Sequence, residues 1–549
     1  MHATSHHLSN HPSHRPRAAS TAVAIAVVAL AAVASPGVSR AGAQAPARGE
    51  ALLLIRGSDT ISVERLRRTR ERLESELLLK GANMRIHIRV DTDAEGRATH
   101  LSNAARLATA DVNSPPMQQG EVRFTGDSVI ADLTGGGRTV TQRFATKPGA
   151  IPYLNPSFAM VELIVQRARA MGGDSVEVPV WNLQGGTTAM TRVARRGRDT
   201  VVVSLGGLPV YLAVDATGSI TGGSIPAQGV TIARTRAAGA AMAMEKRDYS
   251  APPGAPYTAE DVTVPTPQGH TLAGTLTIPT ARNGKVAAVV TITGSGPEDR
   301  DEAIGIVKGY RPFRQVADTL GRNGIAVLRL DDRGYGASTG SHAAATSADF
   351  ADDIRSALAY LRSRPEIDGT RLALVGHSEG GLIAPMVALT DKSLRGIVLM
   401  AGPSQTGRTI LRYQFGNSIK RDTSYKGARR DSALQKVDAM VDSLAGTSPW
   451  LKFFVEHDPL ATARKVQVPT LILQGETDQQ VTAEQAAALE QAIRSGGNRR
   501  VTRQMFAQAN HLFVQDPDGN PEKYASLPQA QVRSDVLAAL VTWLRDVLR

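Results

Sequence analysis

Two kinds of hydrophobic patterning divide the chain. From Glu50 to about Ala237, apolar and polar residues alternate in short runs. Met84 to Val90, reading Met-Arg-Ile-His-Ile-Arg-Val, has the period of a half-buried strand. Val122 to Phe124, Ser128 to Leu133, Thr139 to Phe144, Ser175 to Val180, Thr200 to Leu205 and Val210 to Val214 are further strand candidates. Turn signals separate them: Thr125-Gly126-Asp127, Gly135-Gly136-Gly137, Arg196-Gly197-Arg198-Asp199 and Asp215-Ala216-Thr217-Gly218. One amphipathic run, Phe158 to Met171, predicts a helix that stops at Gly172-Gly173. Val63 to Leu79 fits either a charged helix or a strand hairpin. The expected unit over 50–237 is a curved antiparallel sheet with one helix packed on it. No catalytic groups gather there, since His87 and His100 lack a spaced partner.

Beyond Tyr257 the pattern changes. Residues 238–257 end in Ala251-Pro252-Pro253-Gly254-Ala255-Pro256 and predict an exposed linker. A hairpin follows, Glu260 to Val264 and Thr271 to Ile278 around Gln268-Gly269. Continuous apolar runs then recur at Ala287 to Thr293, Ile325 to Leu330, Leu372 to Val375, Ile397 to Ala401 and Thr470 to Leu473. Amphipathic stretches lie between them, Pro312 to Asn323 and Phe350 to Arg364 being the clearest. Apolar strands alternating with helices imply a mostly parallel sheet covered on both faces. The expected fold class is therefore α/β for 258–549, preceded by a β-rich domain. Functional residues belong at the carboxyl ends of the parallel strands.

Each strand end carries candidate chemistry. Gly376-His377-Ser378-Glu379-Gly380 is a G-x-S-x-G sequence between an apolar run and a helix-like run, the pattern of a nucleophile elbow. Glycines flank the serine because the turn leaves no room for side chains. After Thr293 comes Gly294-Ser295-Gly296-Pro297-Glu298-Asp299-Arg300-Asp301, where small residues let backbone approach a substrate carbonyl. The main-chain N–H groups of Ser295 and Glu379 are candidates for an oxyanion hole. Asp331-Asp332-Arg333-Gly334-Tyr335-Gly336 is expected to line the pocket. Gln474-Gly475-Glu476-Thr477-Asp478 offers two acids, of which the spacing from the glycine favours Asp478. Val501 to Phe506, the last strand candidate, precedes Asn510-His511-Leu512-Phe513. Serine, acid and histidine thus follow in the chain order of an α/β-hydrolase triad.

Composition narrows the class. The 549 residues suffice for more than one domain, and the apolar fraction of 42% is that of a globular protein. A net charge of +12 is spread along the chain without interleaved aromatics, so nucleic-acid binding is not expected. Cysteine is absent, which removes disulfides, thiol catalysis and cysteine metal sites. Arg15 and Arg17 precede the apolar run Thr21 to Ala34, which is short for a membrane span, and Ala41-Gly42-Ala43 offers small residues for cleavage. Residues 1–43 therefore predict a signal peptide and export to the periplasm or beyond, with no stable membrane span afterwards. An uncleaved anchor is the alternative. His2, His6, His7, His11 and His14 would leave with the signal and receive no metal role.

As a set, Gly294-Ser295-Gly296-Pro297-x-Asp299-Arg300-Asp301, Asp332-Arg333-Gly334, Gly376-His377-Ser378-Glu379-Gly380-Gly381 and Asn510-His511-Leu512-Phe513 resemble exported bacterial carboxylesterases of the α/β-hydrolase superfamily. Serine aminopeptidase-like and prolyl-oligopeptidase-like hydrolases are the relatives. The resemblance covers about Tyr257 to Arg549. It implies Ser378 as nucleophile, His511 as base and Asp478 as acid, with no metal or organic cofactor. Where that superfamily often has histidine before the oxyanion glycine, Thr293 stands here. The stretch 403–466 falls where lids of this fold are inserted, and Trp450, Leu451, Phe453 and Phe454 form an apolar cluster there. Gly296, Arg333, Tyr335, Trp450 and Phe454 are the candidate pocket residues. Glu379 is expected to bond to neighbouring backbone or Arg333, or to receive a substrate amine. The element order of 50–237 is similar to lipoprotein-carrier half-barrels, and control of access, dimer contact or a grip on polymer or lipid are its candidate roles.

The expected function is a serine hydrolase that cleaves small or medium acyl esters through an acyl-enzyme. A peptidase or amidase is the alternative, and a non-catalytic envelope binding protein stands in a different class. A small-molecule ester, or a peptide or amide, is the expected partner. The sequence carries no signal for an oligomeric state.

Overall fold

The computed structural model describes residues 50–549 apart from 57–58, 81–83, 109–115, 136–137, 207, 229, 238, 240–241, 243–246, 305–306, 308, 343, 422–425, 446–447 and 529. The expected signal peptide, and part of the expected linker, lie outside the described residues.

Fifteen described strands, β1–β15, form one sheet between Glu50 and Thr235. The first eight strands follow one another to one edge, ending in β8 (Arg138–Ala145). The chain then crosses to the opposite edge at β9 (Ile151–Tyr153) and returns strand by strand until β15 (Val230–Thr235) pairs antiparallel with β1 (Glu50–Arg56). So short a crossing between two edges requires the sheet to curl round on itself. Trp181 shows the closure, because its ring lies 5.8 Å from those of both Phe124 and Phe144. Helix α1 (Phe158–Met171) fills the concave face with Phe158, Met160, Val161, Ile164 and Val165. The ambiguous stretch Val63 to Leu79 is a hairpin, Asp59–Arg68 against Arg72–Leu79. The strand Ile220–Ile225 escaped sequence reading because Thr-Gly-Gly-Ser interrupts its apolar alternation.

Glu64, on the concave face, caps α1 from the sheet. Its carboxylate accepts hydrogen bonds from Ser157 Oγ at 2.6 Å, Ser75 Oγ at 2.9 Å and the Ala159 N–H at 2.9 Å. Burial nevertheless raises its pKa above the ordinary 4.5. A raised carboxyl stabilises the fold fully below its unfolded value, and that contribution is lost as pH rises through the folded value. Glu64→Gln keeps an acceptor and removes the titration. The Tm of the variant relative to the parent is therefore expected to rise as pH increases above the ordinary carboxylate range in thermal scans. A constant difference would show that Glu64 does not titrate above that range.

The second sheet has eight strands: β16 (Tyr257–Pro265), β17 (Thr271–Pro279), β18 (Val286–Ile292), β19 (Ala326–Leu330), β20 (Ile367–His377), β21 (Gly396–Met400), β22 (Thr470–Gly475) and β23 (Val501–Phe506). Their order is β16-β17-β19-β18-β20-β21-β22-β23, antiparallel as far as β19 and parallel thereafter. Helix α2 (Pro312–Arg322) packs on one face and α3 (Ser347–Ser363) and α4 (Gly380–Thr390) on the other, each closing a separate apolar core. From β18 the chain first goes to one side and later to the other, so a crevice opens at the carboxyl ends of β18 and β20. The 403–466 insertion contains helices Gly407–Arg421, Ala428–Gln435, Val437–Ala445, Pro449–Glu456 and Pro459–Ala463, with a small core around Val437, Val441 and Val455.

The end of the linker is not a free tether. Arg247 pairs with Asp299, and the Tyr249 hydroxyl donates to the same carboxylate at 3.2 Å. The Arg300 guanidinium sits 4.3 Å from the Tyr249 ring centre, and Arg311 and Arg314 donate to the Asp248 carbonyl. A chain beginning at Ala251 loses these contacts and leaves buried Asp299 without both partners. One beginning at Arg247 keeps them. The expected result is near full-length turnover of a short ester for the longer chain and a kcat lower by about tenfold for the shorter. Equal kcat in the two chains would show the strap to be dispensable.

Candidate active site

The elbow is built by close approach. A Cβ on Gly376 would lie 2.1 Å from the Gly380 carbonyl oxygen, and one on Gly380 would lie 2.2 Å from that of Ile292. No side chain fits, so β20 can turn directly into α4 with Ser378 at φ +52. The left-handed conformation is costly for serine and is held by the Ser378 N–H donating to the Met400 carbonyl at 2.8 Å.

Ser378, His511 and Asp478 meet although they stand after different strands. His511 Nε2 is 3.1 Å from Ser378 Oγ, and His511 Nδ1 is 2.8 Å from Asp478 Oδ2. Asp478 is buried and oriented by its own donors: the Gln480 and Val481 N–H groups bind Oδ1, and Gln474 Nε2 binds Oδ2 at 3.0 Å. Glu476, the competing acid, is exposed. The arrangement can move a proton from the serine hydroxyl to the imidazole and hold that imidazole in one tautomer.

Ser295 follows the end of β18, and Glu379 follows Ser378 directly in the chain. Among the described residues neither main-chain N–H has an acceptor in the protein. The strand-end backbone runs beside Ser378, since a Cβ on Gly294 would lie 3.5 Å from its Cβ. The Glu379 side chain departs from expectation: it reaches neither backbone nor Arg333. Its Oε1 accepts from Ser347 Oγ at 2.6 Å and Trp450 Nε1 at 2.8 Å. Its Oε2 is buried without a hydrogen-bond partner. Burial raises this carboxyl above its ordinary pKa, against the Ser347, Trp450 and Ser295 donors that favour the ionised form.

The candidate pocket residues separate. Trp450 reaches the elbow through that indole bond and stacks on Phe454 at 5.3 Å. Phe454 is buried behind it, against Gly407 of the insertion. Gly296 lies in the loop beyond Ser295 with φ +105, a conformation that suits glycine. Arg333 turns away from the site. Its guanidinium makes two bonds to the Asp353 carboxylate, at 2.7 and 2.8 Å, and one to the Asp349 carbonyl, which locks it under α3. Tyr335 lies within electrostatic reach of Arg247 in the strap.

The Asp331-Asp332 pair, expected to line the pocket, borders a cavity beside Thr293 and Gly294 and also holds the 294–302 loop. Asp332 accepts from Thr293 Oγ1 at 2.7 Å and the Glu298 N–H at 2.9 Å, and Asp331 makes a two-point bond with Arg300. Sequence reading passed over Glu298, Glu302 and His377 as well. Burial and then the charges of Glu302 and Asp332 push Glu298 well above the usual carboxylate range. The available signal was the dense charge run 298–302 directly after a buried strand.

Residues 304–518 match the family model described as serine aminopeptidase, S33. Esterase EstD of Thermotoga maritima is 26% identical over 305 residues, covering 55% of this chain and 70% of that protein. A solved esterase of Pyrococcus furiosus gives a TM-score of 0.39 at 17% identity, over 56% of this chain and 97% of its own. The esterase domain of a Rhodothermus marinus protein gives 0.34 at 20% identity, over 53% of this chain and 99% of its own.

Proposed function

Since the C-terminal unit is an α/β-hydrolase domain, we propose that the protein is a serine hydrolase of carboxylic esters with small or medium acyl groups. The observation that carries the reading is the Ser378–His511–Asp478 hydrogen-bond chain at the ends of β20, β22 and β23. In this reading His511 takes the Ser378 proton as Oγ attacks the ester carbonyl. Negative charge develops on the carbonyl oxygen, where the N–H groups of Ser295 and Glu379 receive it. His511 returns the proton to the leaving alcohol. It then activates water against the acyl-enzyme, and Asp478 stabilises the imidazolium at each stage.

The test compares p-nitrophenyl esters of graded acyl length with aminoacyl and dipeptidyl anilides. Turnover of the shorter esters is expected to dominate, and silence on every substrate would favour a binding protein. A peptidase reading has one observation in its favour: the unpartnered Oε2 of Glu379 beside the nucleophile suits a substrate ammonium. Faster cleavage of aminoacyl anilides, lost in Glu379→Gln, would transfer the assignment. Export is part of the proposal, on the strength of the Arg15–Ala43 segment. A mature periplasmic protein whose first residue lies within the 1–43 segment rather than after it would oppose cleavage near Ala43.

A further inference from the structure

We propose that His377 and Glu302 are positioning residues, whose hydrogen-bonded pair sets His511 and the Thr293–Ser295 turn in place around Ser378. The proposal rests on the serine-hydrolase reading and concerns two side chains outside the reacting group.

His377 precedes the nucleophile at the end of β20 and is buried. Its Nδ1 is 2.7 Å from Glu302 Oε1, and its Nε2 is 2.9 Å from the carbonyl oxygen of His511. A carbonyl oxygen can only accept, so Nε2 carries a hydrogen and fixes the main chain of the proposed base. Glu302 Oε1 also accepts from the Gly294 N–H at 2.9 Å. One carboxylate oxygen therefore joins the histidine to the turn that presents Ser295. The network thus touches the base, the nucleophile's strand and the oxyanion turn, three segments far apart in sequence.

The surroundings make the pair rigid. The His511 ring lies 5.0 Å from the His377 ring and the Phe513 ring 6.1 Å. Tyr310 donates to the Leu512 carbonyl at 3.0 Å, and Glu298 Oε2 accepts the same Gly294 N–H at 3.0 Å. Glu302, Ser378 and Phe513 all have left-handed φ, at +55, +52 and +55. Such conformations persist only where surrounding contacts over-determine them. Burial by itself would lower the His377 pKa, but the charge and hydrogen bond of Glu302 carry it above its ordinary value. A purely structural contact at this depth would be served as well by apolar packing, without the cost of buried charge.

The test uses the full chain with His377→Phe, Glu302→Leu and the near-isosteric Glu302→Gln. The kcat and KM for a short p-nitrophenyl ester are measured per fluorophosphonate-titrated site, and Tm is recorded by circular dichroism. His377→Phe and Glu302→Leu are expected to lower kcat by about 30- to 100-fold, with KM within about threefold, because a displacement of one ångström can cost this much. Glu302→Gln keeps an acceptor for Gly294 and is expected to recover to within about tenfold of the parent. Unchanged kcat per titrated site in folded His377→Phe and Glu302→Leu overturns the proposal. So does Glu302→Gln as impaired as Glu302→Leu, or a loss that resides wholly in fewer titratable sites. If Ser378→Ala is inactive while the pair's variants are normal, only the pair's role falls; an active Ser378→Ala removes the serine-hydrolase reading itself.

Discussion

Ser378→Ala and His511→Ala are each expected to reduce ester turnover by about 100,000-fold, with the double variant scarcely worse than either single one. The expectation follows from the geometry of a unit. With Oγ removed there is nothing to attack the carbonyl, and with the imidazole removed the hydroxyl keeps its proton. Either loss leaves only binding and the unpaired N–H groups of Ser295 and Glu379 to favour the transition state. The fold should survive both changes, because the Ser378 turn is held by its main-chain bond to Met400 and by glycine packing at 376 and 380. Circular dichroism and activity on a short p-nitrophenyl ester check the two halves together. A folded Ser378→Ala protein with near-parental kcat would remove the mechanism. A fluorophosphonate should label Ser378 and no other residue.

Asp478→Asn comes next in size. The amide preserves volume but presents an N–H or a neutral oxygen where His511 Nδ1 needs a negative acceptor. The imidazole then prefers the other tautomer or loses support for its charged form, which costs about 10,000-fold in kcat in such arrangements. The Gln474, Gln480 and Val481 donors that now fix Asp478 would also meet a less suitable partner. Glu476→Gln changes an exposed side chain and should leave kcat within about twofold. A damaging Glu476→Gln beside a mild Asp478→Asn would reassign the acid. The comparison also separates charge from shape, since both substitutions remove one negative charge from the same loop.

The elements most legible in the sequence are those dictated over a few neighbouring residues. Val501–Phe506 and Thr200–Leu205 coincide with their predicted strands, and Phe158–Met171 with its helix. The parallel sheet was visible because strands buried on both faces must be continuously apolar, as at Val286–Ile292. The elbow was visible because a left-handed serine packed between strand and helix permits only glycine at 376 and 380. Serine, acid and histidine could be ordered along the chain because each follows an apolar run.

Tertiary structure decided what those residues touch. Arg333 reads as a pocket residue beside a strand end, yet Asp353 lies 20 positions away and captures it from α3. Glu379 reads as a partner for nearby backbone, yet its acceptor oxygen is claimed by Ser347 and by Trp450 from the insertion. Arg247 and Tyr249 read as linker, yet they close over Asp299. His377 and Glu302 are 75 positions apart and leave no periodic trace. The physical reason is common to all four. Patterning reports how much of a segment is buried, through the local period of apolar side chains. A buried charge must find a specific donor or counter-charge, and only the folded arrangement of distant segments determines which one is within reach.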